Sequence, residues 1–503
     1  MGKMTTLPAG DYIEALKKSG LYVSDNVSDR DMPVEGLTYN SKAAGDGTLF
    51  VCKGAAFKED YLKEAVSRGA CLYVSEQPYD VSVPGIITNN VRKAMTVLGN
   101  LYYGRPWEDL RITGITGTKG KTSAVYYQKA VFDNYEEETG GRESGITSSI
   151  DYYDGITKEE SHNTTPEAME LLRLIRNAVD SGLDLFEMEV SSQALKYDRV
   201  EGVTYDVGVF MNISTDHISP VEHTDFEDYF ASKLRLFEIT KTAVINAGSD
   251  HFARILAEAG KCEKVVVFGT QPWCDVYGYD IRKEESCIRF RVRTDSFDEE
   301  FMLTMPGLFN VENALAAIAV SKELGIPVKN MKAGLEKARV AGRMELYTSK
   351  DGIINAIVDY AHNRLSFEKL FSSVRKEYPG YRVVAVFGSA GGKAFSRRRD
   401  LGEVSAKYMD KVFLTEEDPG KEPPEQTMED IAKYIRPAGT DHVMIADREE
   451  AIIAALDEHD VKTVYLVLGK GAETTEKIGT EYVTYPTDVD IVKDYIAKYD
   501  KEH

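Results

Sequence analysis

No run of 18 or more apolar residues occurs in this 503-residue chain, so no membrane-spanning helix is expected. Cysteine is scarce: Cys52, Cys71, Cys262, Cys274 and Cys287 are odd in number, and none is spaced Cys-x-x-Cys. That argues against a disulfide framework and a zinc site, and for a reducing compartment. The first residues, Met-Gly-Lys-Met-Thr-Thr-Leu-Pro-Ala-Gly-Asp, lack the apolar centre of a signal peptide, so a cytoplasmic protein is expected. Repeats and low-complexity tracts are absent. A basic surplus is absent too: the formal net charge of −21 argues against a DNA or RNA partner. It does not exclude a nucleotide, which a few local donors can bind. At this length one core is too few, and size alone suggests about three domains.

What is present is led by Arg111-Ile-Thr-Gly-Ile-Thr-Gly-Thr-Lys-Gly-Lys-Thr122, a strand running through a Gly-rich turn into a helix. Gly117 and Gly120 allow the tight turn that aims successive N–H groups at an anion. Lys121 adds a point charge and the Thr122 hydroxyl a ligand for Mg²⁺, while the helix dipole reinforces both. Gly117, Thr118, Lys119, Gly120, Lys121, Thr122 and Ser123 are therefore the expected ATP-phosphate set. Isoleucine at 115 departs from the usual P-loop, which has glycine there.

Three blocks are expected: 1–104, 105–339 and 340–503. The first has short strands and helices, among them Thr48–Cys52, Tyr61–Arg68, Cys71–Ser75 and the helical pattern Val91–Tyr103, before Gly104-Arg-Pro106. The second and third alternate strand and helix, which predicts an α/β fold with mostly parallel sheets. The predicted strands include Leu185–Val190, Val207–Met211, Ala243–Asn246, Ala356–Asp359, Val383–Phe387, Lys411–Thr415 and Val464–Leu468. A helix from Val311 to Leu324 should stop at Gly325, with Pro327 beyond. A capping box from Thr224 to Glu227 announces a further helix over 225–237. Gly388-Ser-Ala-Gly-Gly392 lacks the full dinucleotide fingerprint and by itself points to no ligand.

Polar residues close two of these strands, Glu189-Val-Ser-Ser192 and Asn212-Ile-Ser-Thr-Asp-His217, where open α/β sheets collect ligands. Taken with Gly117-Thr-Lys-Gly-Lys-Thr122, Asn163-Thr-Thr-Pro166, Gly307-Leu-Phe-Asn-Val-Glu-Asn-Ala314 and Asp359-Tyr-Ala-His362, they resemble the Mur ligase family along nearly the whole chain. The likeness is greatest to the members that add the third residue to UDP-N-acetylmuramoyl-L-alanyl-D-glutamate. It implies a P-loop-type central ATP-binding domain, flanked by an N-terminal α/β UDP-binding domain and a C-terminal Rossmann-like domain. It also implies that ATP activates the D-glutamate γ-carboxylate as an acyl phosphate, from which an incoming amine displaces phosphate to form an amide.

The resemblance implies the residue roles as well. Lys121, Glu189, His217 and Lys233 would be catalytic; Thr122, Glu189, His217 and Lys233 would attend two Mg²⁺ ions. Lys233 would be carbamylated by CO₂, although composition alone makes it a solvated helix residue. Asn313, Arg343 and Asp359 would reach ATP. Asn40 and Ser41 would lie at the uridine end, and Asn163, Thr164, Thr165, Ser191, Tyr197 and Arg199 would bind the muramoyl dipeptide. Diaminopimelate-adding members carry Asp-Asn-Pro-Arg where this chain has Glu417-Asp-Pro-Gly420. Losing that arginine favours a substrate with a positive distal end, lysine, received by Glu417, Asp418 and Glu473. One of Arg397, Arg398 and Arg399, with Arg397 named first, would take its carboxylate. A monomer that binds no nucleic acid is expected. Three alternatives stay open: a diaminopimelate- or other amino-acid-adding member, a folylpolyglutamate synthetase-like ligase, and a P-loop ATPase that uses hydrolysis as a switch.

Overall fold

A computed structural model describes residues 6–54, 57–161, 163–215, 218, 222–284, 287–392 and 395–503. It forms two compact units, Met1–Tyr277 with Leu315–Gly334, and Gly278–Ala314 with Leu335–His503. No helix among the described residues is long and apolar enough to cross a membrane.

The first unit holds a short ladder, Leu7–Pro8 against Pro33–Val34, and two larger sheets. The smaller runs in the order Tyr22–Asp25, Gly85–Thr88, Ala70–Ser75, Thr48–Val51, Gly36–Thr38. Only its first pair is antiparallel. In the larger, the parallel strands lie in the order Gly145–Thr147, Leu185–Glu189, Arg111–Thr116, Tyr205–Phe210, Thr240–Asn246, Lys264–Gly269. All five residues of Leu185–Glu189 are buried, as expected of a parallel strand covered on both faces. One apolar cluster joins the blocks on either side of residue 104. Tyr12, Leu16, Met95, Leu98 and Tyr102 pack with Leu171, Leu172, Ile175, Phe186 and Met188. The helix Val91–Tyr103 ends on Gly104 at φ 70°, a left-handed cap that glycine adopts without strain.

The second unit is built on a six-stranded sheet, Glu345–Thr348, Ile354–Asp359, Thr463–Leu468, Arg382–Phe387, Lys411–Leu414, Asp441–Met444. All pairs but the first are parallel. Thr463–Leu468, last of these strands in the chain, lies between Ile354–Asp359 and Arg382–Phe387, and the parallel strands all end on one edge of the sheet, at Asp359, Phe387, Leu414 and Leu468.

The α/β class holds and the predicted strands lie within three residues of the observed ones, the largest departure being Thr240–Asn246 for the expected Ala243–Asn246; the predicted helix at 311–324 is Asn310–Glu323. The capping box does not. The Asp225 side chain, not Thr224, accepts from Asp228 N at 2.8 Å, so the helix is Phe226–Leu234 and continues as the 3-10 turn Arg235–Ile239. Glu227 is drawn outward into an ion pair with Arg254. Two adjacent residues able to cap compete here, and the aspartate takes the N-cap, where a carboxylate also suits the helix dipole.

Candidate active site

The phosphate loop begins where the central strand ends. Arg111–Thr116 is paired through Ile115, so that isoleucine belongs to the strand and the loop starts at Gly117. This is why the shorter glycine pattern suffices. A Cβ on Gly117 would lie 2.8 Å from Met211 Cβ, so only glycine fits beside the neighbouring strand. Gly120, at φ 83°, begins the helix Lys121–Thr139. Asn212 clamps the loop. Its carbonyl accepts from Thr118 N at 3.0 Å, its Oδ1 accepts from Lys119 N at 2.9 Å, and its Nδ2 donates to Lys119 O at 3.0 Å. Tyr229 donates to Thr118 Oγ1 at 3.0 Å, a contact no motif announced. Ser123 is half-buried in the first helical turn.

Two ammonium groups converge on this turn. Lys121 Nζ donates to Gly117 O at 3.0 Å, and Lys233 Nζ donates to the same oxygen at 2.9 Å. Lys233 is 1% exposed and sits 4.9 Å over the Tyr229 ring, so it is no solvated helix residue. Like charges at such range repel strongly in a buried setting, and the arrangement is relieved by an anion placed between them.

Glu189 ends its strand 1% exposed, and its Oε1 accepts from Ser149 N at 2.8 Å and Ser149 Oγ at 3.0 Å. Ser149 Oγ lies 3.0 Å from Thr122 Oγ1. Thr122, Ser149 and Glu189 thus align hard oxygen donors beside the loop. One carboxylate with hydroxyls suits Mg²⁺, which keeps waters and phosphate oxygens in its shell, and the residues fit that ion. Among the described residues no group of three or more His, Cys, Asp or Glu could form an all-protein cage. His217 lies outside the described residues.

Around this centre the residues expected to bind the dipeptide differ in burial and in their partners. Thr165 is fully buried; its hydroxyl donates to Glu189 O at 2.9 Å and accepts from Ser191 N at 3.0 Å. Ser191 Oγ caps the short helix Ser192–Lys196 through Ala194 N. Those two hydroxyls hold the backbone near Glu189. Thr164 is half-buried and Asn163 exposed. Arg199 donates to Thr165 O at 3.2 Å, and the Tyr197 ring stacks under Arg92 at 4.6 Å. Asn40 caps the turn Ser41–Ala43, while Ser41 Oγ donates to Glu64 at 2.7 Å. His223, which sequence reasoning passed over, is fully buried 3.0 Å from Ser192 Oγ and beside Asp228, and burial lowers its pKa.

In the second unit, Asn313 donates to Asn310 at 2.9 Å. The Arg343 guanidinium lies 4.7 Å over the Tyr360 ring. Asp359 accepts from Met344 N at 2.9 Å and Ala361 N at 2.7 Å, so it shapes the turn that carries Arg343.

At the carboxyl ends of that unit's sheet stand Glu417, Asp418 and Glu473. Lys470, 1% exposed, donates to Asp418 at 3.0 Å and to Glu473 at 2.9 Å. Two of the three expected carboxylates therefore already share a resident cation. Glu417 differs: it is 9% exposed and its Oε2 is buried without a hydrogen-bond partner among the described residues. Burial raises its pKa to about 7 against the pull of Arg448 and Arg397. A Cβ on Gly469 would come within 2.2 Å of that Oε2, so glycine there makes room for the carboxyl. Glu476, unremarked in the sequence, is a second buried carboxyl with an unpartnered oxygen, and burial raises its pKa as well.

The three arginines part company. Arg398 is 2% exposed and bound to Glu422 at 2.7 Å and Asp430 at 2.9 Å. Arg399 is exposed beside Asp400 and Glu403. Arg397 is the one whose charge reaches Glu417.

Known proteins are similar to this chain along nearly its whole length. The profile of the Mur ligase middle domain matches residues 115–321, and that of the Mur ligase glutamate ligase domain matches 342–471. UDP-N-acetylmuramoyl-L-alanyl-D-glutamate--L-lysine ligase of Enterococcus faecalis is 38% identical, covering 95% of this chain and 94% of the relative. The protein of that name from Streptococcus pneumoniae serotype 4 is 36% identical, covering 96% and 98%. Among solved structures, a UDP-N-acetylmuramoyl-L-alanyl-D-glutamate--2,6-diaminopimelate ligase superposes with a TM-score of 0.68 at 22% identity, covering 99% of this chain and all of that one.

Proposed function

The chain belongs to the Mur ligase family, and from that premise we propose that it joins L-lysine to the D-glutamate γ-carboxylate of UDP-N-acetylmuramoyl-L-alanyl-D-glutamate, using ATP. Its full-length relatives carry that activity in their names, which supports the reading. The observation that carries the choice of amino acid is the buried Glu417 Oε2, without a hydrogen-bond partner among the described residues, in a turn that ends in Gly420 and has no arginine. A cationic distal end satisfies that carboxyl, whereas a distal carboxylate would be repelled by Glu417 and Glu476.

In this reading ATP, with Mg²⁺ bound, supplies the phosphoryl group that converts the γ-carboxylate into an acyl phosphate; the lysine amine attacks its carbonyl carbon, the amide forms and inorganic phosphate leaves. The chain's part is positioning and charge. The loop N–H groups and Lys121 hold phosphate oxygens, Thr122 and Glu189 offer metal ligands, and His217 offers a further one. Lys233 as a carbamate would replace one of two crowded ammonium groups by an acid able to ligate metal, and the shared Gly117 oxygen supports this. Arg199 takes the muramoyl dipeptide, Arg343 and Asn313 take ATP, and Arg397 takes the carboxylate of lysine. The division into UDP-binding (1–104), ATP-binding (105–339) and amino-acid-binding (340–503) parts belongs to the same proposal, as does a cytoplasmic monomer.

One experiment tests it: purified protein with ATP, Mg²⁺ and UDP-muramoyl dipeptide, offered L-lysine, D-lysine, ornithine or meso-diaminopimelate. Lysine-dependent phosphate release with a ligated product is expected. Release with diaminopimelate alone would overturn the lysine assignment, and hydrolysis indifferent to the dipeptide would make the chain a switch ATPase instead.

A further inference from the structure

Glu167 stands at the N-cap of the helix Ala168–Asp180, but its side chain makes no cap bond. Its Oε1 instead accepts from Lys53 Nζ at 2.8 Å and from Arg199 Nη2 at 3.1 Å. All three side chains are only 13–15% exposed. Lys53 Nζ also lies 5.0 Å over the Tyr39 ring, and Arg199 Nε is buried with no hydrogen-bond partner among the described residues. Two further charges act on Tyr39, Glu170 and Arg173, and their formal charges are opposite.

One carboxylate thus holds two cations side by side, leaving one positive charge in excess and an N–H with nothing to donate to. A bracing ion pair needs only one cation. Two on a single oxygen, at the positive end of a helix, favour an anion.

We propose that Lys53 is a further anion-binding residue for UDP-muramoyl dipeptide, and that Glu167 is the positioning residue that holds it beside Arg199. This rests on the assignment of Arg199 to that substrate. The anion is a diphosphate or a carboxylate, and UDP-muramoyl dipeptide carries both.

The test compares Lys53→Met and Lys53→Arg with the unaltered protein in steady-state kinetics, with UDP as a competing probe. In Lys53→Met the KM for UDP-muramoyl dipeptide should rise about tenfold or more, as loss of one charge-assisted hydrogen bond implies. The KM values for ATP and lysine should hold, and Lys53→Arg should restore binding to within about threefold. If UDP binding weakens in step, the anion is the diphosphate. If UDP is indifferent while the substrate's KM rises, the anion is the carboxylate of the dipeptide. An unchanged substrate KM, an equal rise in all three, or a loss that arginine fails to restore would overturn the proposal. Absence of turnover in the unaltered protein would instead refute the ligase reading.

Discussion

Glu417→Gln separates what the carboxyl does for the fold from what it does for lysine. In the folded protein burial lifts this carboxyl from 4.5 to about 7. A raised acid pKa means that the folded state holds its proton more tightly than the unfolded state. Its contribution is therefore largest at low pH and is lost as pH rises from the unfolded value through about 7. Between about pH 5.5 and about pH 8 that loss comes to roughly 2 kcal/mol. Glutamine keeps the shape and cannot ionise, so the variant should lack this part of the pH slope. Glu416 titrates in the same range, with a pKa of about 7, but it is present in both proteins and cancels in the comparison. The measurement is the unfolding midpoint of each protein at the two pH values. A difference of about 2 kcal/mol corresponds to several degrees for a unit of this size. Lysine binding should move the other way. At about pH 6 only about a tenth of Glu417 is ionised, so the lysine KM of the unaltered protein should rise about tenfold from about pH 8. The variant should show a high KM at both. Parallel pH slopes for the two proteins, or an unchanged lysine KM in the variant, would refute the reasoning.

Other substitutions probe separate parts of the site. Lys233→Ala should abolish turnover, and added CO₂ should not restore it; full activity would remove the carbamate from the mechanism. Arg398→Met should cost about 2–4 kcal/mol in unfolding measurements, because it removes the buried cation paired with Glu422, while Asp430 keeps Lys433. Its lysine KM should stay near normal, since that guanidinium is already engaged. Gly469→Ala should displace the Glu417 carboxyl, given the 2.2 Å approach and a φ of 113°. It should raise the lysine KM with little change in that for ATP.

The readable parts of the sequence were those where one local signal dominated. Val91–Tyr103 was placed to the residue, because Asn90 caps it and Gly104 ends it. The parallel strands stood out as short apolar runs buried on both faces, such as Thr463–Leu468. Thr122 and Glu189 could be named from motif and strand end, and the structure sets both against Ser149. What stayed hidden depends on partners far away in the chain. Nothing near Lys233 announces that it turns inward to the Gly117 carbonyl, 116 positions distant. Thr165 and Ser191 look like ligand hydroxyls in their motifs, but each also braces the backbone.

The acidic corner of the second unit shows why sign counting fell short there. Counting Glu417, Asp418 and Glu473 gives three negative charges for a lysine ammonium, but the structure gives Lys470 to two of them. That resident cation prevents mutual repulsion from protonating the whole group, and it leaves Glu417 as the carboxyl with an oxygen to spare. Selectivity then depends on how few anions remain uncompensated, not on how many are present. Lys470→Met should accordingly weaken lysine binding instead of improving it, because Glu473 and Asp418, no longer held, would raise the proton affinity of Glu417 further. A lower lysine KM in Lys470→Met at about pH 8 would show the three carboxylates acting as a simple sum, contrary to this account.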